Sequence, residues 1–140
     1  MKLRHVVAVS TLALVAIGCG DEDSCPTEAA AVEPGQAMAG KCAAPAPQQV
    51  RITLDVCEQC SRTAPTCDPQ IFVADGRIFL NTSWEICEEN RSCSGEACGQ
   101  VVCSFSVPDG TYTVETLAPS GTSVFDLDVS GASASCSGTI

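Results

Sequence analysis

Cys57-Glu-Gln-Cys60 has the spacing of a dithiol redox site and of half a zinc site. A redox pair normally opens a helix, whose N-terminus lowers the thiolate pKa. Here the motif follows an alternating, strand-like run at 50–56 and leads into "SRTAPTCDP", which is not helical. A tetrahedral zinc site needs a second close pair, whereas the later cysteines fall at 93, 98 and 103, with four residues between neighbours. Structural disulfides are therefore the expected chemistry, and a thiol-disulfide site at Cys57 and Cys60 is the alternative. Asp126-Leu-Asp128-Val-Ser130-Gly131 copies the opening of an EF-hand loop, but Ser137 occupies the twelfth position, where calcium needs a bidentate Glu. Phe125, Leu127 and Val129 alternate with those acids, so a solvated strand face is expected instead. Glu85, Glu88 and Glu89, together with Asp55, could supply a glycosidase-type carboxylate pair. Such a site needs an apolar cleft and sugar-stacking aromatics, and the chain has one Trp.

His5 is the only histidine, and it stands in a segment that reads as a cleaved leader. The chain left after cleavage has no imidazole, which removes Ser-His and Cys-His nucleophile activation and the commonest transition-metal ligand. No catalytic residue, metal or cofactor is expected. Charge narrows the partners further. Acids number 17 against 7 Lys and Arg; Lys2 and Arg4 precede Cys19 and every acid follows it, so a chain beginning at Cys19 carries 17 acids and 5 bases, a net charge of −12. Such a surface repels phosphate backbones, and nucleic acid is not an expected partner.

Eleven cysteines in 140 residues read as a disulfide framework made in an oxidising compartment. The odd number singles out Cys19. Residues 1–18 have a basic start, an apolar stretch from Val6 to Ile17 and small residues before a cut, the three parts of an export signal. The stretch is too short to span a bilayer comfortably. Without Cys19, the ten that remain are Cys25, Cys42, Cys57, Cys60, Cys67, Cys87, Cys93, Cys98, Cys103 and Cys136, enough for five bridges. "VAIGC" at 15–19 resembles the lipobox of bacterial membrane lipoproteins, in which the cysteine becomes the first mature residue and carries the acyl chains. That resemblance implies lipidation of Cys19 and attachment to a membrane through its acyl chains. Gly20 rather than Asp follows it, which by resemblance to enterobacterial sorting rules favours the outer membrane.

Three segments must position these groups. Residues 1–18 are the signal peptide. Residues 19–48, rich in Ala, Pro, Gly, Glu and Asp, read as an acidic tether that buries too little apolar surface to order itself. Cys25 and Cys42 either close a loop within it or staple it to the domain, and the second is favoured. Residues 49–140 read as a small, disulfide-rich antiparallel β-sandwich, an all-β fold. Val50, Ile52, Leu54 and Val56 form one face of a half-buried strand. Asp75-Gly76 suits a type I′ hairpin that pairs Phe72 with Phe79 and Val73 with Ile78. Val101, Cys103, Phe105 and Val107 share a face, Pro108-Asp109-Gly110 and Pro119-Ser120-Gly121 turn the chain, and Phe125, Leu127 and Val129 point inward.

The loops 57–69 and 84–99 hold six cysteines and are the expected contact region for an unknown protein or glycan ligand. The sequons at Asn81 and Asn90 stay bare in a bacterial protein. "FSVPDGTYTVETLAPSG" at 105–121 resembles the strand-turn-strand of carboxypeptidase-regulatory-like and immunoglobulin-like sandwiches; it implies a fold and carries no catalytic residue. The chain as a whole resembles the cysteine-rich lipoproteins of myxobacteria. The expected role is a lipid-anchored, non-catalytic binding or structural protein of the cell envelope. The alternatives are a redox protein using Cys57 and Cys60, and a secreted cysteine-rich inhibitor-like module.

Overall fold

The structure, a computed structural model, describes residues 26–58, 64–85 and 97–140. Nine strands lie among them: β1 (Thr27–Ala29), β2 (Cys42–Ala46), β3 (Gln49–Glu58), β4 (Thr66–Phe72), β5 (Arg77–Glu85), β6 (Ala97–Ser106), β7 (Gly110–Ala118), β8 (Gly121–Ser130) and β9 (Ser133–Ser137). They make two facing sheets. The larger holds β1, β4, β5, β7, β8 and β9, and the smaller has the order β2-β3-β6. The all-β reading is thus correct.

The two-residue alternation of the sequence becomes the core. Val50, Ile52, Leu54 and Val56 of β3 are at most 1% exposed, and they meet Ile78 and Leu80 of β5, Val114 of β7 and Leu127 of β8 in one continuous cluster. Phe125, Leu127 and Val129 point inward as expected, as do Val101, Cys103 and Val107, with Phe105 half-buried beside them. The turn at Pro119-Ser120 joins β7 to β8 with Ala118 opposite Gly121.

Three details depart from the sequence reading. First, the β4–β5 turn is not a two-residue type I′ turn. Val73–Asp75 form a 3-10 turn and Gly76 takes the left-handed conformation at φ 62°, while Asp75 keeps a negative φ. Phe72 therefore faces Arg77 and Gln70 faces Phe79, a register two residues from the expected one. An even shift leaves the strand side chains on their expected faces, but Val73, expected opposite Ile78, leaves the ladder for the exposed turn and Ile71 takes its place. Second, β5 and β7 run parallel, 77–80 beside 113–116, in an otherwise antiparallel set. Between them the chain leaves for β6 in the other sheet and returns in the starting direction, which is what a parallel neighbour requires.

Third, the described part of the expected tether, 26–48, is built into the fold. β1 pairs with the end of β5, β2 pairs with β3, and Ala30, Val32 and Met38 are fully buried. The segment completes the open edge of β3 beyond the reach of β2. Thr53 N–H donates to the Lys41 carbonyl, Val32 bridges Val56, and the buried Gln36 amide serves Asp55 as a neighbouring strand would. Its Nε2 donates to the Asp55 carbonyl at 2.7 Å, and its Oε1 accepts from the Asp55 N–H at 2.9 Å. An uncovered edge would expose unpaired backbone groups, so this segment has a definite energetic reason to order.

Candidate functional site

Six cysteines form three bridges among the described residues, and the bridges differ in kind. Cys42 of β2 joins Cys136 of β9 across 94 residues, and Cys67 of β4 joins Cys103 of β6 across 36. Each sits where an edge strand of one sheet passes an edge strand of the other, β2 beside β9 and β4 beside β6. Among the described residues no strand ladder crosses either seam; at the β2–β9 seam the bridge adds to backbone hydrogen bonds on either side of it, from Met38 N–H to the Gly138 carbonyl and from Gln48 N–H to the Gly131 carbonyl. Cys42 is thus stapled to the domain, as favoured from the sequence. The third bridge, Cys57–Cys98, links directly opposite positions of the β3–β6 ladder and faces solvent, with Cys98 exposed.

This pairing corrects the alternative chemistry. Cys57 is bonded to Cys98, on the neighbouring strand, and so does not form a Cys57–Cys60 redox couple. Cys60 itself, with Cys19, Cys25, Cys87 and Cys93, lies outside the described residues, as do His5, Glu88, Glu89 and Asn90. Of the expected contact loops, 84–99 lies largely outside the described residues, whereas 57–69 is described except for 59–63, and its described part includes the end of β3 and the start of β4 and is thus mostly strand and not loop.

The acids weighed for chemistry do not converge. Asp55, between buried Leu54 and Val56, points out from the small sheet, whereas Glu85, beside buried Trp84, points out from the large one. Asp55 accepts from Lys41 Nζ at 2.7 Å and from Gln100 Nε2 at 2.9 Å. Those hydrogen bonds, Lys41's first, hold its carboxyl below the usual aspartate value of 3.8, against the opposing effect of burial. Asp126 and Asp128 lie on the outer face of β8, with Ser137 opposite Asp126 in the β8–β9 ladder. The EF-hand-like string is therefore a strand, not a loop. Among the described residues no three His, Cys, Asp or Glu side chains gather as metal ligands would.

Two further groups were not foreseen. The Tyr112 hydroxyl donates to the Pro108 carbonyl at 2.8 Å, four residues back, which clamps the 108–110 turn as a tyrosine corner does. Burial, then the nearby Asp109 charge, push its phenol above the usual value of 10.0. Arg51, opposite Ser104 on the outer face of the small sheet, is the one cation without an acidic partner among the described residues, since Lys41 pairs with Asp55 and Arg77 with Glu115. Pro45, Gln49, Ser104 and Ser106 surround it in a shallow open depression. Val50 and Phe105 also line it, so the depression is of mixed polar and apolar character and open to solvent.

No family model, curated protein or solved structure matches the chain.

Proposed function

We propose that the protein is a lipid-anchored envelope protein that works by binding or scaffolding, without catalysis, and is held at the outer membrane through acyl chains on Cys19. Cysteine accounting carries this reading. Six of the eleven cysteines pair with one another, so an odd five remain and at least one of them has no intramolecular partner. Cys19 ends an apolar leader and is the one whose sequence setting suits acylation. More than one chain matters, because each buried CH₂ contributes roughly 0.8 kcal/mol and a single chain anchors only marginally. The three bridges also fit an oxidising compartment outside the cytoplasm.

Fatty-acid labelling followed by fractionation tests the anchor. Label is expected in the wild-type chain and in the membrane fraction, with both lost in Cys19→Ser. Wild-type protein without label, or membrane association unchanged in the variant, would overturn the anchor, and unlabelled protein in the soluble fraction would turn the reading to a secreted module.

A further inference from the structure

The outer face of the large sheet gathers several exposed apolar side chains, where the small sheet exposes Val102 alone among the large hydrophobics of the described residues. Gln70, Phe79, Glu115 and Val124 stand side by side on β4, β5, β7 and β8, forming one rung across four strands. Phe72 and Leu117 flank that rung on the same face. Phe72, Leu117 and Val124 are 45%, 41% and 50% exposed. At the centre the groups are mutually fixed. Phe72 meets Phe79 edge to face, with ring centroids 5.7 Å apart and planes at 89°. The Arg77 guanidinium lies 5.0 Å from the Phe79 centroid and also pairs with Glu115. Rigid aromatic side chains and a stacked Arg are the residue types that dominate protein interfaces, and an exposed apolar patch of this kind marks an interaction surface.

Charge identifies the partner. Among the described residues the only base on this face, Arg77, is already matched by Glu115. The exposed acids Asp68, Asp126 and Asp128 border the patch, and none of them has a cationic partner among the described residues. A second copy would bring two acid-rimmed faces together, and anionic lipid headgroups would meet the same repulsion. We propose that this face docks a cationic amphipathic segment of another protein, apolar along its middle and bearing Lys or Arg at its borders. The four strands span about 15 Å at their usual spacing, wide enough for one helix lying flat. This inference rests on the binding part of the proposed function and not on the anchor, whose failure the fractionation experiment reads separately.

The test is an amide-resonance titration of the full chain with a Leu/Lys peptide of about 18 residues, roughly five helical turns. Its controls are a scrambled peptide of the same composition and vesicles of anionic phospholipid. The amphipathic peptide is expected to bind saturably and to shift resonances on β4, β5, β7 and β8. Affinity should fall at least about tenfold in Phe72→Ser and in Val124→Thr, the size expected for removal of a central anchor. Val102→Thr, which trims an exposed apolar side chain on the other sheet, should leave it unchanged. Equal binding of the scrambled peptide overturns the proposal. So do shifts that map to another surface, binding indifferent to both large-sheet substitutions, capture of this face by the vesicles, and a concentration-dependent dimer that Val124→Thr abolishes.

Discussion

At the scale of single residues, Asp55 links the surface to stability. Its carboxyl is held below the usual aspartate value by Lys41 and Gln100, so the unfolded chain takes up that proton more readily than the folded one. The resulting stabilisation is present above pH 3.8, the ordinary value, and drains away as the pH falls through the lower, folded value. Asp55→Asn is therefore expected to flatten the acid limb of a plot of stability against pH. At neutral pH it should cost at most about 1 kcal/mol, because the pair is partly exposed. An acid limb of unchanged slope would remove Asp55 from that role. The Cys57–Cys98 bridge gives a second prediction. It faces solvent, while Cys103 and Cys136 of the other two bridges are buried, and thiolate attack needs access. Among the three, gentle reduction followed by alkylation should label Cys57 and Cys98 first, with the fold retained through the long β3–β6 ladder. Peptide mapping that finds Cys42 and Cys136 labelled earlier would contradict this.

Individual elements show where the sequence was legible. β3 alternates strictly and β6 and β8 do so except at outward Val102 and Val124, and alternation is enough to say which side chains face the core before any partner strand is known. Their faces came out as read. The β4–β5 turn was harder, because Asp-Gly suits both a type I′ hairpin and a longer loop that ends in left-handed Gly76, and only the pairing of the strands decides. Residues 26–48 were misread for a different reason. Their buried side chains, Ala30, Val32, Gln36 and Met38, keep two-residue spacing only in the short pairs 30/32 and 36/38, with Pro34 and Gly35 between the pairs and a polar residue among the buried four. Their ordering comes from the edge of β3, which a local reading of composition does not contain. The nearness of Phe72 and Phe79 was legible from the hairpin, though in another register, whereas their outward placement and the continuation through Leu117 and Val124 depend on how β5 and β7 lie in the sheet. If 26–48 belongs to the core, Met38→Ala should cost roughly 2–5 kcal/mol in denaturant unfolding. A flexible tether would make the substitution silent.

For the molecule as a whole, the decisive feature is the closure of two sheets by sulfur at both seams. Aromatics are 4% of the chain, and covalent closure offsets what so small a core leaves short. For the Cys42–Cys136 bridge, which spans 94 residues, the chain-entropy argument gives roughly 4–5 kcal/mol. Replacing both with Ser is expected to lower Tm sharply while leaving the strand content of any remaining folded population unchanged. A Tm within a degree of the wild type would show that the β2–β9 seam holds without it. The same bond also decides what tension can do to this protein. A pull on the two ends passes through sulfur and bypasses the covalent ring from 42 to 136. Of the described chain, only 26–41 and 137–140 can be drawn out, at about 3.4 Å per residue. Stretching would peel β1 and the Val32 and Ala37 bridges and then stop, leaving both sheets folded behind a short length of extensible leash.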